Sequence, residues 1–359
     1  MSLYYKEDWN ECQQILTGWW NHKVDGRWAL GVRAPRNKSL PHEIPPPLSD
    51  DFKTRWLDYK TINRHKEAWF ASYCYLGCVY PEETAYLGPG SLNAFLGCSI
   101  DFQQDTLWYH PVHSDPEKTA NLAIDKNGFY WNWTVEALRY LKQRAAGKYV
   151  LAMPDVIEGM DILSELFGTQ EFLIHLIDCP DAIHRLMDEL DELYFKAYDA
   201  LAEIVQSPEG HVPFMAFNAW GPGRAAKVQC DFSAMISRDM YDEFVLPHLR
   251  RQCQRLDYTV YHLDGPGAMH HLDSVLTIPE LNAIQWEPGA GNPHTGDKVW
   301  WDKIWKKVYA AGKSAFLHGV PVNEIEPFIK EFGQDGTLII TDVANEDQAR
   351  KLMDDSLSW

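Results

Sequence analysis

Tyr261-His262-Leu263-Asp264-Gly265-Pro266-Gly267 places an imidazole and a carboxylate two residues apart at the end of a run with strand character. Side chains on a strand repeat every two residues, so His262 and Asp264 are expected on one face. Gly265 and Gly267 let the backbone turn, and Pro266 stops further sheet pairing. A polar pair therefore stands at the carboxyl end of a strand, the edge on which α/β barrels and open α/β sheets carry their chemistry.

Three further strand ends follow the same pattern. Leu281 to Trp286 leads into Glu287-Pro288-Gly289, Ser314 to Leu317 into His318-Gly319, and Thr337 to Ile340 into Thr341-Asp342. Segments with helical spacing lie after these runs: Trp301, Ile304, Trp305 and Val308, then Ile325, Phe328 and Ile329, then Ala349, Leu352 and Met353. Asn323 with Glu326 and Asn345 with Gln348 are spaced as capping boxes for the last two. Strand-helix alternation of this kind predicts a parallel sheet.

Upstream, residues 1 to 27 read as an N-terminal helical extension carrying Trp9, Cys12, Leu16, Trp19 and Trp20. Trp28 to Val32 is the expected first strand, 51 to 69 a helix, and Leu92 to Phe102 an extended segment that competes with 69 to 80 for the second strand. Trp131 and Trp133 alternate as on an edge strand. Lys148 to Met153 is a strand, Asp161 to Phe167 and Asp181 to Gln206 are helices, and Val212 to Phe217 is a strand ending at Asn218-Ala219-Trp220-Gly221. A helix over Arg238 to Arg255 follows. Strand starts near 28, 94, 148, 212, 257, 281, 314 and 337 make eight, so the expected fold is a TIM (β/α)8 barrel with an N-terminal helical extension, one domain over 1–359.

With 359 residues, 45% of them hydrophobic, the chain is long enough to bury a large core. Its formal charge of −18, from 33 basic and 51 acidic residues, repels phosphate backbones and anionic lipid, so neither nucleic acid nor membrane is an expected partner. The start Met1-Ser2-Leu3-Tyr4-Tyr5 has no signal-peptide pattern, and a cytoplasmic location is expected. Seven cysteines form no CxxC pair and read as free thiols.

The order of the strand-ending motifs, Phe244-Val245-Leu246-Pro247 following Ile236-Ser237-Arg238, and the His-x-Asp strand end together resemble the uroporphyrinogen decarboxylase superfamily over residues 140 to 356, and more loosely before that. The superfamily holds decarboxylases of haem biosynthesis and zinc-dependent methyltransferases that move methyl groups between corrinoid proteins and thiols. The resemblance implies a barrel with its site in the central cleft. His262 stands at the methyltransferases' metal histidine, but Asp264 replaces their first cysteine, and Thr341-Asp342 lies near the second. Arg33-Ala34-Pro35-Arg36 supplies two arginines where the decarboxylases hold substrate carboxylates.

The expected catalytic residues are accordingly His262, Asp264, Glu287 and His318. A divalent metal, zinc first, is assigned to His262, Asp264 and Asp342. Arg33, Arg36, Trp220, Asp231 and Tyr261 are expected to contact substrate, while His270-His271 reads as helix surface. The resemblance ranks one-carbon transfer with a corrinoid protein or methylated small molecule first, then a decarboxylase acting on a polycarboxylate, then a non-catalytic binding barrel. A homodimer is the candidate assembly.

Overall fold

Parallel strands buried on both faces must be apolar almost throughout, and the run Leu338-Ile339-Ile340 meets that demand with each residue nearly inaccessible. In the computed structural model, which describes residues 2–119, 121–157, 159–218 and 220–359, this run is the centre of strand β11. Ala219, within one expected strand end, and Met1 lie outside the described residues. The strands in chain order are β1 Ala29–Pro35, β2 Tyr73–Gly77, β3 Glu82–Glu83, β4 Ser99–Phe102, β5 Leu107–His110, β6 Val150–Leu151, β7 Ala225–Gln229, β8 Tyr258–Asp264, β9 Ala283–Glu287, β10 Ser314–His318 and β11 Thr337–Asp342.

Seven of them form one sheet in the order β2-β1-β11-β10-β9-β8-β7. All its pairs are parallel except β1 with β2. A parallel pair β3-β6 and single bridges, Met153 with Phe214 and Val212 with Arg224, continue the strand direction beyond β7. Among the described residues no ladder joins β2 to β3, and the main sheet is a run of parallel strands edged by the antiparallel β2, with helices packed on it.

The N-terminal extension is a helix, Trp9–Trp20, laid across the amino ends of the strands. Trp20 Nε1 donates to the Trp220 carbonyl at 2.9 Å, Trp19 Nε1 to Gly336 at 3.1 Å, and the Trp20 ring packs on Tyr258 at the start of β8. That end of the sheet is thereby closed by indoles. The opposite end is left for chemistry.

Several expectations need correction. Leu92 to Phe102 is a helical turn, Ser91–Phe95, followed by β4, which pairs antiparallel with β5 away from the main sheet. A short apolar run does not distinguish the two forms. The competing segment does join the sheet as β2, but antiparallel. Trp131 and Trp133 belong to the helix Phe129–Ala145. Val212 to Phe217 forms only the two bridges, because Ala216, Phe217 and Asn218 turn into the left-handed region at φ of 85°, 63° and 53°. The strand there is β7, hidden in the sequence because Lys227 and Gln229 interrupt its apolar pattern. Asn345 does cap the helix Glu346–Asp355 by accepting from the Gln348 amide, but Pro321 occupies the cap of Val322–Phe332, so Asn323 falls inside the first turn.

The turn out of β2 rests on Gly77, whose φ is +64° and whose position would put a Cβ 2.0 Å from the Leu30 carbonyl oxygen. Gly77→Ala is expected to destabilise the protein by about 2 kcal/mol or more, through backbone strain together with the clash. A urea midpoint unchanged from wild type would show that the β1-β2 turn can move freely.

Candidate functional site at the carboxyl ends of the strands

Parallel pairing brings the carboxyl ends of β7 to β11 and β1 to one edge. Along it, His262 lies in register with Gln229 and Gln285, Asp264 with Glu287, and Arg33 with Asp342. His318 ends β10 on the same edge, and Asp231 follows β7 by two residues. Asp231, His262 and Asp264 each offer one ligand atom, and these atoms lie within 4.8 Å of one another. Asp342 is not part of this group. Its carboxylate takes a two-pronged bond from Arg33, at 2.6 and 2.9 Å.

A polar scaffold holds the three in place. Asp161, in the first turn of the helix Met160–Phe167, accepts from the backbone amides of Asp231 at 3.0 Å and Phe232 at 2.8 Å. Gln229 Nε2 bridges Asp161 and Asp231 at 3.0 and 2.9 Å. Lys227, on the same face of β7, forms a buried ion pair with Asp155 at 2.9 Å. His262 donates from Nδ1 to the side-chain oxygen of Gln285, which leaves Nε2 as the ring's free lone pair. The Phe217 ring lies 5.3 Å from the imidazole. Left-handed non-glycine residues cost on the order of 1–3 kcal/mol each and concentrate at functional sites. Here Asn218 anchors the strained segment by donating to the Tyr80 carbonyl at 3.0 Å.

Crowded carboxyls in a recess hold their protons. Burial, reinforced by the neighbouring Asp161 and opposed by Lys227, pushes Asp231 up to about 8. Glu165, beside the Asn93 amide, is pushed up to about 8 by burial and then by Asp161. Burial and the Lys227 charge hold His262 below its ordinary value, against the opposing pull of Gln285, Asp264 and Glu287. The recess around His318, with Arg33 nearby, lowers that imidazole too, although Asp342 and Glu287 oppose the shift. The site thus combines neutral imidazoles, proton-retaining carboxyls and a surplus of acid over base. It suits a cation better than an anion.

The other expected contacts are placed elsewhere or already engaged. Tyr261 points to the opposite face of β8, where its hydroxyl meets that of Tyr241 at 2.9 Å in the core. Trp220 is buried near the amino ends, against Trp9 and His211. Arg36 donates to the Tyr73 carbonyl at 2.8 Å. His270 is exposed, whereas His271 is buried, stacked on Tyr241 and bonded to the Ser233 carbonyl, which corrects the reading of both as helix surface. The sequence reading missed Lys227, Asp155, Asp161, Glu165, Gln229 and Gln285. A polar residue inside an otherwise apolar strand, as at Gln285 and Lys227, was the available signal.

No family model matches the chain, and no curated protein matches it. Among solved structures, the fold is similar to that of a methyltransferase from Methanosarcina mazei, with a TM-score of 0.59, 11% sequence identity, and coverage of 97% of this chain and 98% of that one. Fold and site together define an α/β protein with an acidic, His-containing cleft at its strand ends.

Glu165 supplies a pH test. Its folded-state value of about 8 lies above its ordinary 4.5, so the folded protein binds this proton more tightly than the unfolded chain does. Its contribution is present at low pH and is lost as pH rises from about 4.5 to about 8. Glu165→Gln, neutral at every pH, should flatten that decline, by a few kcal/mol at most after structural relaxation. Parallel pH profiles of the urea midpoint for variant and wild type would contradict this.

Proposed function

We propose that this chain is a one-carbon transferase of the uroporphyrinogen decarboxylase-like type, its sheet closed into a barrel, with Asp231, His262 and Asp264 as ligands for a divalent cation. The convergence of those three ligand atoms within 4.8 Å carries the reading. The fold likeness to a methyltransferase supports the reaction class. Zinc, iron and manganese all accept one imidazole with two carboxylates, and burial, reinforced by Asp161, raises Asp231 in the way a cation bound beside it would offset.

A cation bound there supplies a Lewis acid for an oxygen-bearing group, a harder centre than a thiolate-rich zinc site. The chain's own residues do the rest. Gln285 fixes the imidazole so that Nε2 faces the cleft. Asp161 and Gln229 set the Asp231 carboxylate, and Phe217 shields one face of the imidazole from water. Glu165 keeps a proton available near neutrality. Substrate is a small molecule, with a corrinoid protein as the proposed methyl-carrying partner.

A polycarboxylate decarboxylase fits less well. Arg33 is neutralised by Asp342, Arg36 is spent on a backbone carbonyl, and the remaining cleft is acidic. An anionic substrate would meet like charge.

The test measures divalent metal in the purified protein and methyl transfer from a methylated corrinoid. His262→Ala should lose both while stability stays within about 1–2 kcal/mol, because a cleft residue adds little packing. Gln285→Leu, which frees the imidazole to rotate, should weaken metal affinity roughly 10–100-fold. Full metal retention and turnover in His262→Ala would refute the assignment.

A further inference from the structure

A cavity of about 510 Å³ is walled in part by Met215, two residues before the Phe217 that packs on His262. Its walls are aromatic. Trp56 stacks with Tyr86 at 6.1 Å between ring centroids, and Tyr59 meets Trp133 edge-on at 6.0 Å. Glu82 of β3 also lines it. This residue sits deep in the molecule yet keeps part of its side chain open to the cavity. Its buried Oε2 has no hydrogen bond of good geometry; Asn218 and Tyr80 lie beside the carboxyl and favour its charged form, and among the described residues no basic side chain forms an ion pair with it. Neighbouring Glu83 differs in being satisfied, since Asn63 donates to it at 2.7 Å.

The cavity and the strand-end site share a wall. Met215 lines the cavity, Phe217 packs on His262, and Asn218 reaches back to the Tyr80 carbonyl beside β3. These residues frame the strained turn. Its left-handed backbone, Ala216 to Asn218, runs from the cavity-lining Met215 to the residue bonded beside β3.

Aromatic faces carry negative charge density that attracts cations, most strongly where water is excluded. A carboxyl at the same place, bonded to neutral groups and to no basic side chain, adds a counter-charge once it ionises. Neither cationic side chain of the cavity pairs with Glu82: Arg55 donates to the Ser49 carbonyl at 2.8 Å and lies over Phe52, and Lys66, exposed at the rim over the Trp69 ring, favours the ionised form of Glu82 only through space. We infer that this cavity binds an organic ammonium group, with Glu82 as its counter-ion and Trp56, Tyr59, Tyr86 and Trp133 as the surrounding cage. Burial pushes Glu82 up to about 8, and a cation arriving beside it reverses that penalty. The narrower statement, that the ligand is a methylated amine serving as substrate, rests on the proposed function, whereas binding of the cation does not.

The experiment is calorimetric titration of the full chain, above about pH 8 where Glu82 ionises, with choline and with the uncharged alcohol in which carbon replaces its nitrogen. Choline should bind at least about ten-fold more tightly than the alcohol, and Glu82→Gln and Trp56→Leu should each cost choline roughly ten-fold. His262→Ala should retain choline binding, which separates this site from the strand-end one. Equal binding of the two probes, failure of choline to bind, or an unchanged Glu82→Gln would each overturn the inference. Should Glu82→Gln fail to fold, the comparison of choline with its isostere on the wild type decides alone. Choline binding by a chain that transfers no methyl group from a methylated corrinoid would defeat the proposed function and leave the ammonium site standing.

Discussion

The ion pair between Lys227 and Asp155, buried on both sides at 2.9 Å, is the interaction on which the cleft depends. Breaking such a pair leaves an uncompensated charge and costs about 3–5 kcal/mol, so β7 and the segment after β6 are locked together. The ammonium also tunes its neighbours. It opposes the upward shift of Asp231 and adds to the downward shift of His262. A single buried cation thus keeps an acidic recess from repelling itself apart.

Around that pair the molecule is divided by polarity along the strand axis. Indoles of the N-terminal helix close the amino ends, while carboxyls and imidazoles gather at the other. The division follows from parallel pairing, which sends every strand's carboxyl end the same way and leaves loops free there to carry polar groups. The Arg33-Asp342 pair belongs to the same edge but closes on itself, removing both from competition for ligand.

The expected metal group and the cluster that the structure brings together differ by one residue for a definite reason. Asp342 and Asp264 both end strands, and spacing alone treats them alike. Only the lateral neighbour separates them: Arg33 faces Asp342 across the β1-β11 register, whereas Asp264 faces Glu287. Asp231 lies beside His262 and Asp264 because Asp161, 70 residues earlier in the chain, captures its backbone amide. No local pattern encodes a contact over that distance.

The sequence by itself determined the parallel α/β pattern from β8 to β11, the cap at Asn345, and the pairing of His262 with Asp264 on one face, because each depends on residues only a few positions apart. It did not determine β7. Lys227 and Gln229 look like loop residues until their partners, Asp155 and Asp161, are brought beside them. Nor did it reveal the aromatic cavity, whose walls come from helices and strands far apart in the chain. Burial with a distant partner is a property of the folded chain, and tertiary structure alone decided which polar groups became a site.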